Sequence, residues 1–497
     1  MRGRTVDGAV HPAPATRVLG RWTLFAGSWG WVLLMHQATF DRWQYSPLGW
    51  ALCALAMGLV LWPASLPLLA ATVLVDAAYA FQCLPGTANH LVFEGLMCAT
   101  WSVALLLHAV GVLRRGGRLR ELLAWRAGEP HPLEASRAPL RAALLGVYWL
   151  SVLHKLNYDF VDPATSCASY MYGRVAELLP FLPRAVWAEH VAIWGTLLAE
   201  AALPVLLMSR RTWQLGLVAA LSFHLMLAFD PTPGIYSFTG LLFALFILIL
   251  PGACIDVATT WLGALLEQIG PRRARALRAA GLVLVAAILA HGTTRTDDWA
   301  FHTAFYVFFL PWAGVVIAGY LLCLARLAAA PVSKQAPTSL PAPNRGSLAP
   351  AAALWALPCL VLLNGLNPYL GLRTQLSFSM FSNLRTEGGI SNHLFMPKLA
   401  SLTNYQDDLV EILDSDDADL AEYPNEQLLL PYFELRRLVS GLDDVRVRYR
   451  RGGAEHTYVC TGGHCNDPEL AQPFSPLLGR LLYFRPVDKG PHMLCRH

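Results

Sequence analysis

Charged residues are what this 497-residue chain has least of, at 14%, where a soluble domain carries roughly 25%. So few charges cannot cover a water-exposed surface when 55% of the residues are hydrophobic, and a soluble globular protein is excluded. The common catalytic signatures are missing as well. There is no P-loop, no GxGxxG, no HExxH and no GxSxG, so nucleotide, zinc-protease and esterase chemistry find no starting residue. A surface of one sign is also missing. The net charge is +4, and the basic residues sit beside apolar runs instead of forming a patch suited to nucleic acid.

What the chain does have is long apolar runs. Runs approaching the roughly 20 residues that cross about 30 Å of hydrocarbon lie at 22–38, 47–62, 65–81, 90–113, 140–157, 186–208, 212–229, 235–251, 277–292, 302–325 and 350–367. The first follows Arg2, Arg4, Arg17 and Arg21, but no small-residue cleavage site succeeds it, so it reads as a mature helix. The expected fold is an all-α polytopic membrane bundle of about eleven spans with a small C-terminal α+β extramembrane domain. Residues 1–21 form a cytoplasmic tail, 22–367 the membrane domain and 368–497 the extracytoplasmic segment.

Orientation follows from the basic residues, which favour the cytoplasmic side. Residues from 373 onward hold 13 Lys+Arg and 17 Asp+Glu, a balance of −4, which leaves +8 for the first 372. The basic N-terminus, the Arg-rich loop 114–141, Arg210 and Arg211, the expected loop 252–276 with Arg272, Arg273 and Arg275, and the Pro-rich linker 327–349 all fall on one side when eleven spans alternate. The N-terminus is then cytoplasmic and the tail extracytoplasmic, and the lipid bilayer is the first partner.

In the tail, Leu428, Leu429, Tyr432 and Leu435 recur at helical spacing and predict a helix over 425–440. The alternating run Val445–Arg450, then Gly452-Gly453, then Thr457-Tyr458-Val459, predicts a β-hairpin. Seven of the ten Cys lie in or near spans and read as small buried apolar residues. Cys460 and Cys465 are candidates for a tight-loop disulfide in an oxidising compartment. Pairing of one of them with Cys495, or a metal site using His464, are the alternatives.

Ionisable groups at membrane depth are costly and mark functional candidates. Lys155 ends the fifth run, and Tyr148, Ser151 and Lys155 share one helix face through spacings of three and four. Burial against Tyr148, Trp149 and Tyr158 would make its amine a usable base, and an outer helix end would tolerate Ala there. The plain alternative is a lysine snorkelling to the interface. Asn89 and His90 open the fourth run, with Glu94 a turn deeper, Glu200 lies among alanines in the sixth, and His224 follows Phe223 in the seventh. After the last run, the segment 373–393 is dense in hydrogen-bonding groups, Arg385 and His393 among them, and with no span to follow it would fold back over the outer mouth. The topology puts Asn89, His90, Lys155, His224 and the 373–393 segment at one level on the outer side.

At these residues the sequence resembles the HTTM superfamily, whose membrane domain is shared with vitamin K-dependent gamma-carboxylase. The resemblance rests on Lys155-Leu156-Asn157-Tyr158-Asp159-Phe160, on Asn89-His90, on Phe223-His224 with Gly234-Ile235-Tyr236, on Glu200, and on the Phe378-Ser379-Met380-Phe381 stretch. It covers about residues 20–393. It implies a base at Lys155, His90 and His224 in catalysis, Asn89, Glu200, Arg385 and His393 in substrate binding, a reduced menaquinone or other vitamin K-type quinol as co-substrate, and a peptide or protein substrate. Departures are His154 before the base lysine, Leu225-Met226-Leu227 after His224 in place of an Asn-Ser-Gln stretch, and a much reduced region after the last span. They bear on glutamate binding more than on quinone binding. The reading from another class is a non-catalytic membrane protein that binds or transports a lipid or peptide through the same polar groups.

Overall fold

The structure is a computed structural model that describes residues 14–40, 43–116, 131–230, 234–292, 304–329, 352–379, 381–397 and 401–496. Most of the N-terminal segment 1–21, the centre of loop 114–141 and the linker 331–349 lie outside the described residues. The described chain is mostly helical, with a small antiparallel sheet near the C-terminus. Among the described residues, five helical stretches are long and apolar enough to cross a membrane: Leu66–Cys83, Asn89–Arg114, Val186–Met208, Phe305–Ala328 and Ala352–Leu370. That makes the chain a multi-pass membrane protein in character. Pro47–Leu61 and Trp213–Leu227 are apolar but shorter.

One expected loop is a correction. Residues 252–276 fold as the helix Gly252–Ile269 and the start of Pro271–Gly292. The break is sequence-encoded: Gly270 takes φ +77, where a glycine ends a helix without a Cβ clash, and Pro271 opens the next helix, where its missing N–H costs nothing.

The chain divides into two compact units. One comprises Met1–Tyr79, Met97–Arg141 and Thr232–Ala356, the other Ala80–Leu96, Ala142–Pro231 and Leu357–His497. In the first, Ile235–Ile249 is buried almost throughout, with Met35 of Pro14–Phe40 filling the space where a Cβ on Gly240 would stand. Arg21 and Arg137 close the C-terminal end of that helix by donating to the Leu248 and Leu250 carbonyls, and both pair with Glu134.

The second unit holds every candidate site residue. Its helices include Val186–Met208, Trp213–Leu227, Ala356–Leu370 and the greater part of Arg137–Lys155. Its sheet contains β1 (Leu409–Ser415), β2 (Leu428–Pro431), β3 (Val445–Arg451), β4 (Ala454–Thr461), β5 (His464–Cys465) and β6 (Val487–Asp488), in the order β5-β4-β3-β1-β2-β6. The expected hairpin is present, β3 pairing with β4 from Val445↔Cys460 to Arg451↔Ala454. Gly452 and Gly453 both have positive φ, as a two-residue hairpin turn requires. The helix expected over 425–440 begins only at Tyr432, because Leu428–Pro431 is strand. A run of three leucines fits either period, and pairing with Leu409, Val410 and Glu411 of β1 decides it.

Candidate functional site

The site is built where Arg137–Lys155 ends. Helical spacing puts Tyr148, Ser151 and Lys155 on one face, and that face is turned into the protein. The Lys155 ammonium donates to Ser151 Oγ at 2.5 Å and lies 2.8 Å from Glu200 Oε2 and 3.0 Å from Oε1. Ser151 Oγ in turn donates to Glu200 Oε2 at 3.0 Å. Lys155 is 4% exposed, so this ion pair is buried. The sequence places its burial against Trp149 and Tyr158; the structure corrects this, since those rings are 46% and 63% exposed. Phe160 covers the amine instead, its ring centroid 5.9 Å away. The helix end is therefore no permissive surface position. About two turns before Lys155, Tyr148 Oη meets His224 Nε2 at 2.6 Å, joining Trp213–Leu227 to the same face.

The chain beyond Lys155 is held by polar side chains that the sequence reading treats only as part of a motif. Asn157 is fully buried, accepts from the Phe160 amide, and donates to the carbonyls of His154 and Ser382. Asp159 accepts from Asn392 Nδ2 at 2.6 Å, from the Met493 amide at 3.0 Å and from His492 Nδ1 at 2.8 Å. His154, fully buried, faces two carbonyls, Phe378 O at 3.1 Å and Gly365 O at 2.9 Å. Alternation along Lys155, Asn157 and Asp159 is the sequence signal for these inward-facing groups. His154, read only as a departure from the family, turns out to tie two segments together.

The segment after Ala356–Leu370 folds back over this helix end, as the density of polar groups implies. Asn89 Oδ1 accepts the Phe378 amide at 2.6 Å while His154 holds the carbonyl of the same residue, so the backbone of Phe378 is held at both its N–H and its C=O. Leu376, Phe378, Phe381 and Asn383 all adopt positive φ. Non-glycine residues pay for that geometry, and here the buried hydrogen bonds hold it in place. Asn383 accepts the Cys167 amide and donates to the carbonyls of Thr165 and Met493. A disulfide joins Cys167 to Cys495 beside it. His393 pairs across from Asn157 as an isolated β-bridge.

The remaining candidates, His90 for catalysis and His393 and Arg385 for binding, are placed unequally. His90 and Glu94 are buried in the first two turns of Asn89–Arg114. His393 is occupied within the chain: Nε2 donates to the Leu153 carbonyl at 2.8 Å and Nδ1 accepts the Phe395 and Met396 amides. These bonds fix the neutral ring with hydrogen on Nε2, and burial holds its pKa below the usual histidine range. Arg385 Nη1 donates to the Gly490 carbonyl at 2.8 Å. Burial lowers the Arg373 guanidinium to about 10; it donates to Asn364 Oδ1 and to the carbonyls of Leu376 and Leu481. A second buried ion pair, Glu387 with Arg485 at 3.1 Å, spans 98 residues and leaves no sequence signal.

Cys460 and Cys465 are bonded to each other across β4 and β5, and Cys495 pairs with Cys167 instead of either. Among the described residues no group of three His, Cys, Asp or Glu side chains could hold a metal ion. What the cluster can do is move a proton: an amine, a hydroxyl and a carboxylate stand in mutual hydrogen-bond reach. Comparison of the chain with protein-family models, with curated proteins and with solved structures gives no match in any of the three.

Proposed function

We propose that this chain is a membrane enzyme of the gamma-carboxylase-like HTTM kind, with Lys155 as its base at the outer membrane face. The observation that carries this reading is the buried Lys155–Ser151–Glu200 cluster at a helix end. Transfer of one proton from the Lys155 ammonium to the Glu200 carboxylate leaves a neutral amine and a neutral acid, with no net charge created in the apolar surroundings. The amine can then take a proton from a substrate hydroxyl while Ser151 holds its position. The cluster suits a hydroquinone, whose hydroxyls would meet an amine, a hydroxyl and a carboxylate standing together. A reduced menaquinone or other vitamin K-type quinol would supply an acidic hydroxyl and two electrons for oxygen. His90 and His224 would orient substrate or oxygen, Tyr148 fixing the His224 ring.

The eleven-span topology, N-terminus cytoplasmic and tail extracytoplasmic, belongs to the same proposal. It is supported by ends that meet: Asn89, which opens one span, and His154, which closes another, grip the same residue, Phe378, just past the last. Two disulfides in the second unit also favour an oxidising side for that end. The alternative, a non-catalytic binder or carrier of a lipid or peptide, draws on the internal satisfaction of His393 and of the Lys155 ion pair. The deciding experiment is oxygen consumption by the purified protein supplied with reduced menaquinone. Turnover that is lost in Lys155→Arg, which keeps a charge but cannot give up its proton, supports the enzyme. Activity retained in that variant removes Lys155 as the base, and no turnover at any pH favours the carrier.

A further inference from the structure

The short helix Pro476–Leu481 has an odd composition for a water-soluble domain. Four of its six residues are Pro or Leu, and none of the six is buried. Leu477 is 58% exposed and Leu481 44%, with Leu478 beside them. The helix is capped by Ser475, whose Oγ accepts the Leu478 amide, so the exposed leucines stand on ordered structure. Solvent exposure of that much apolar surface is unfavourable unless something apolar covers it.

Its position says what covers it. Arg480 donates to the Phe81 carbonyl and lies over the Phe81 ring, 5.3 Å from the centroid. Phe81 is in the last turn of Leu66–Cys83, one of the helices long enough to cross a membrane. From the other side, Arg373 donates to the Leu481 carbonyl, and the Thr374 and Gln375 amides donate to the Tyr483 carbonyl. Those residues directly follow Ala352–Leu370, another such helix. The ends of two candidate spans therefore hold this helix at the level where each span stops.

We propose that Pro476–Leu481 is an interfacial helix whose Leu477, Leu478 and Leu481 enter the headgroup–acyl boundary of the bilayer. The inference rests on the reading of Leu66–Cys83 and Ala352–Leu370 as membrane spans. A short apolar face beside a basic residue suits that depth, with Arg480 held against the Phe81 end of the span. The C-terminal domain would then be fastened to the membrane surface at a point distinct from its covalent connection.

The test uses the full-length protein in vesicles of phosphatidylethanolamine and phosphatidylglycerol, with a photoreactive benzoylphenylalanine placed singly at positions 477, 481, 74 and 455. Position 74 is an exposed leucine within Leu66–Cys83, and 455 is an exposed residue of β4. Phospholipid adducts at 477 and 481 comparable to those at 74, with none at 455, are expected. Arg480→Ala should reduce the adducts at 477 and 481 several-fold and leave those at 74 unchanged. Adducts at 74 with none at 477 and 481 would overturn the interfacial helix and keep the span. No lipid adduct at 74 would overturn the span and the inference with it. Crosslinks from 477 to a second copy of the chain in place of lipid would also refute the proposal.

Discussion

Taking away one partner of the Lys155–Glu200 pair should cost more than its place at a helix end suggests. In Lys155→Met the Glu200 carboxylate keeps only the Ser151 hydroxyl as donor in a site that water barely reaches. In Glu200→Met the ammonium is stranded in the same way. Breaking a buried ion pair from one side costs about 3–5 kcal/mol, whereas replacing both partners by apolar groups of similar volume is often close to neutral. Each single variant should therefore lose about 3–5 kcal/mol of unfolding free energy. The double variant Lys155→Met/Glu200→Met should be more stable than either single one. The assay is denaturant unfolding in mixed micelles, carried through the full double-mutant cycle. Single losses below about 1 kcal/mol, the size of an exposed pair, or additive losses in the double variant, would refute the buried pairing. None of the three variants should consume oxygen with reduced menaquinone, so stability and activity part company in the double variant.

Gly365→Ala should destabilise by about 1–3 kcal/mol, because a Cβ there would come within 2.9 Å of Leu150 Cγ and closer still to its methyl groups; the unfolding midpoint in micelles reads this. Burial pushes the Glu434 carboxyl from 4.5 up to about 7, against the Arg437 guanidinium and the Phe484 amide that favour its charge. The folded state thus binds this proton more tightly than the unfolded one, and the stability it confers is present below about pH 4.5 and lost as pH rises through about 7. Hydrogen exchange in Tyr432–Val439 should speed up over that window, by up to about 3 kcal/mol of opening free energy, and Glu434→Gln should flatten the dependence. Peptide mapping without reductant should recover Cys167 joined to Cys495 and Cys460 joined to Cys465; a bond between Cys495 and Cys460 would contradict the fold of the second unit. On the proposed topology, a cysteine at position 115 should be shielded from an impermeant thiol reagent in intact cells while one at 440 reacts, and the reverse pattern would refute the orientation.

The sequence determined the membrane character, the apolar helices and the β3–β4 hairpin, because each depends on local quantities: run length, charge content and a Gly-Gly turn between alternating residues. It also determined that Tyr148, Ser151 and Lys155 share a face, which follows from helix geometry alone. It could not say whether that face meets lipid, water or protein. Tertiary packing decided that, bringing Glu200 and His224 from two other helices against it and turning Trp149 and Tyr158 outward. The same holds for His154, whose two carbonyl partners lie more than 200 residues away, and for Cys167, whose sulfur partner is 328 residues along the chain. The strand Leu428–Pro431 shows the limit at short range: three leucines fit both periods, and only an edge of β1 free to pair could choose. Periodicity records which residues face the same way, whereas the identity of what they face is set by contacts distant in sequence, which no local pattern encodes.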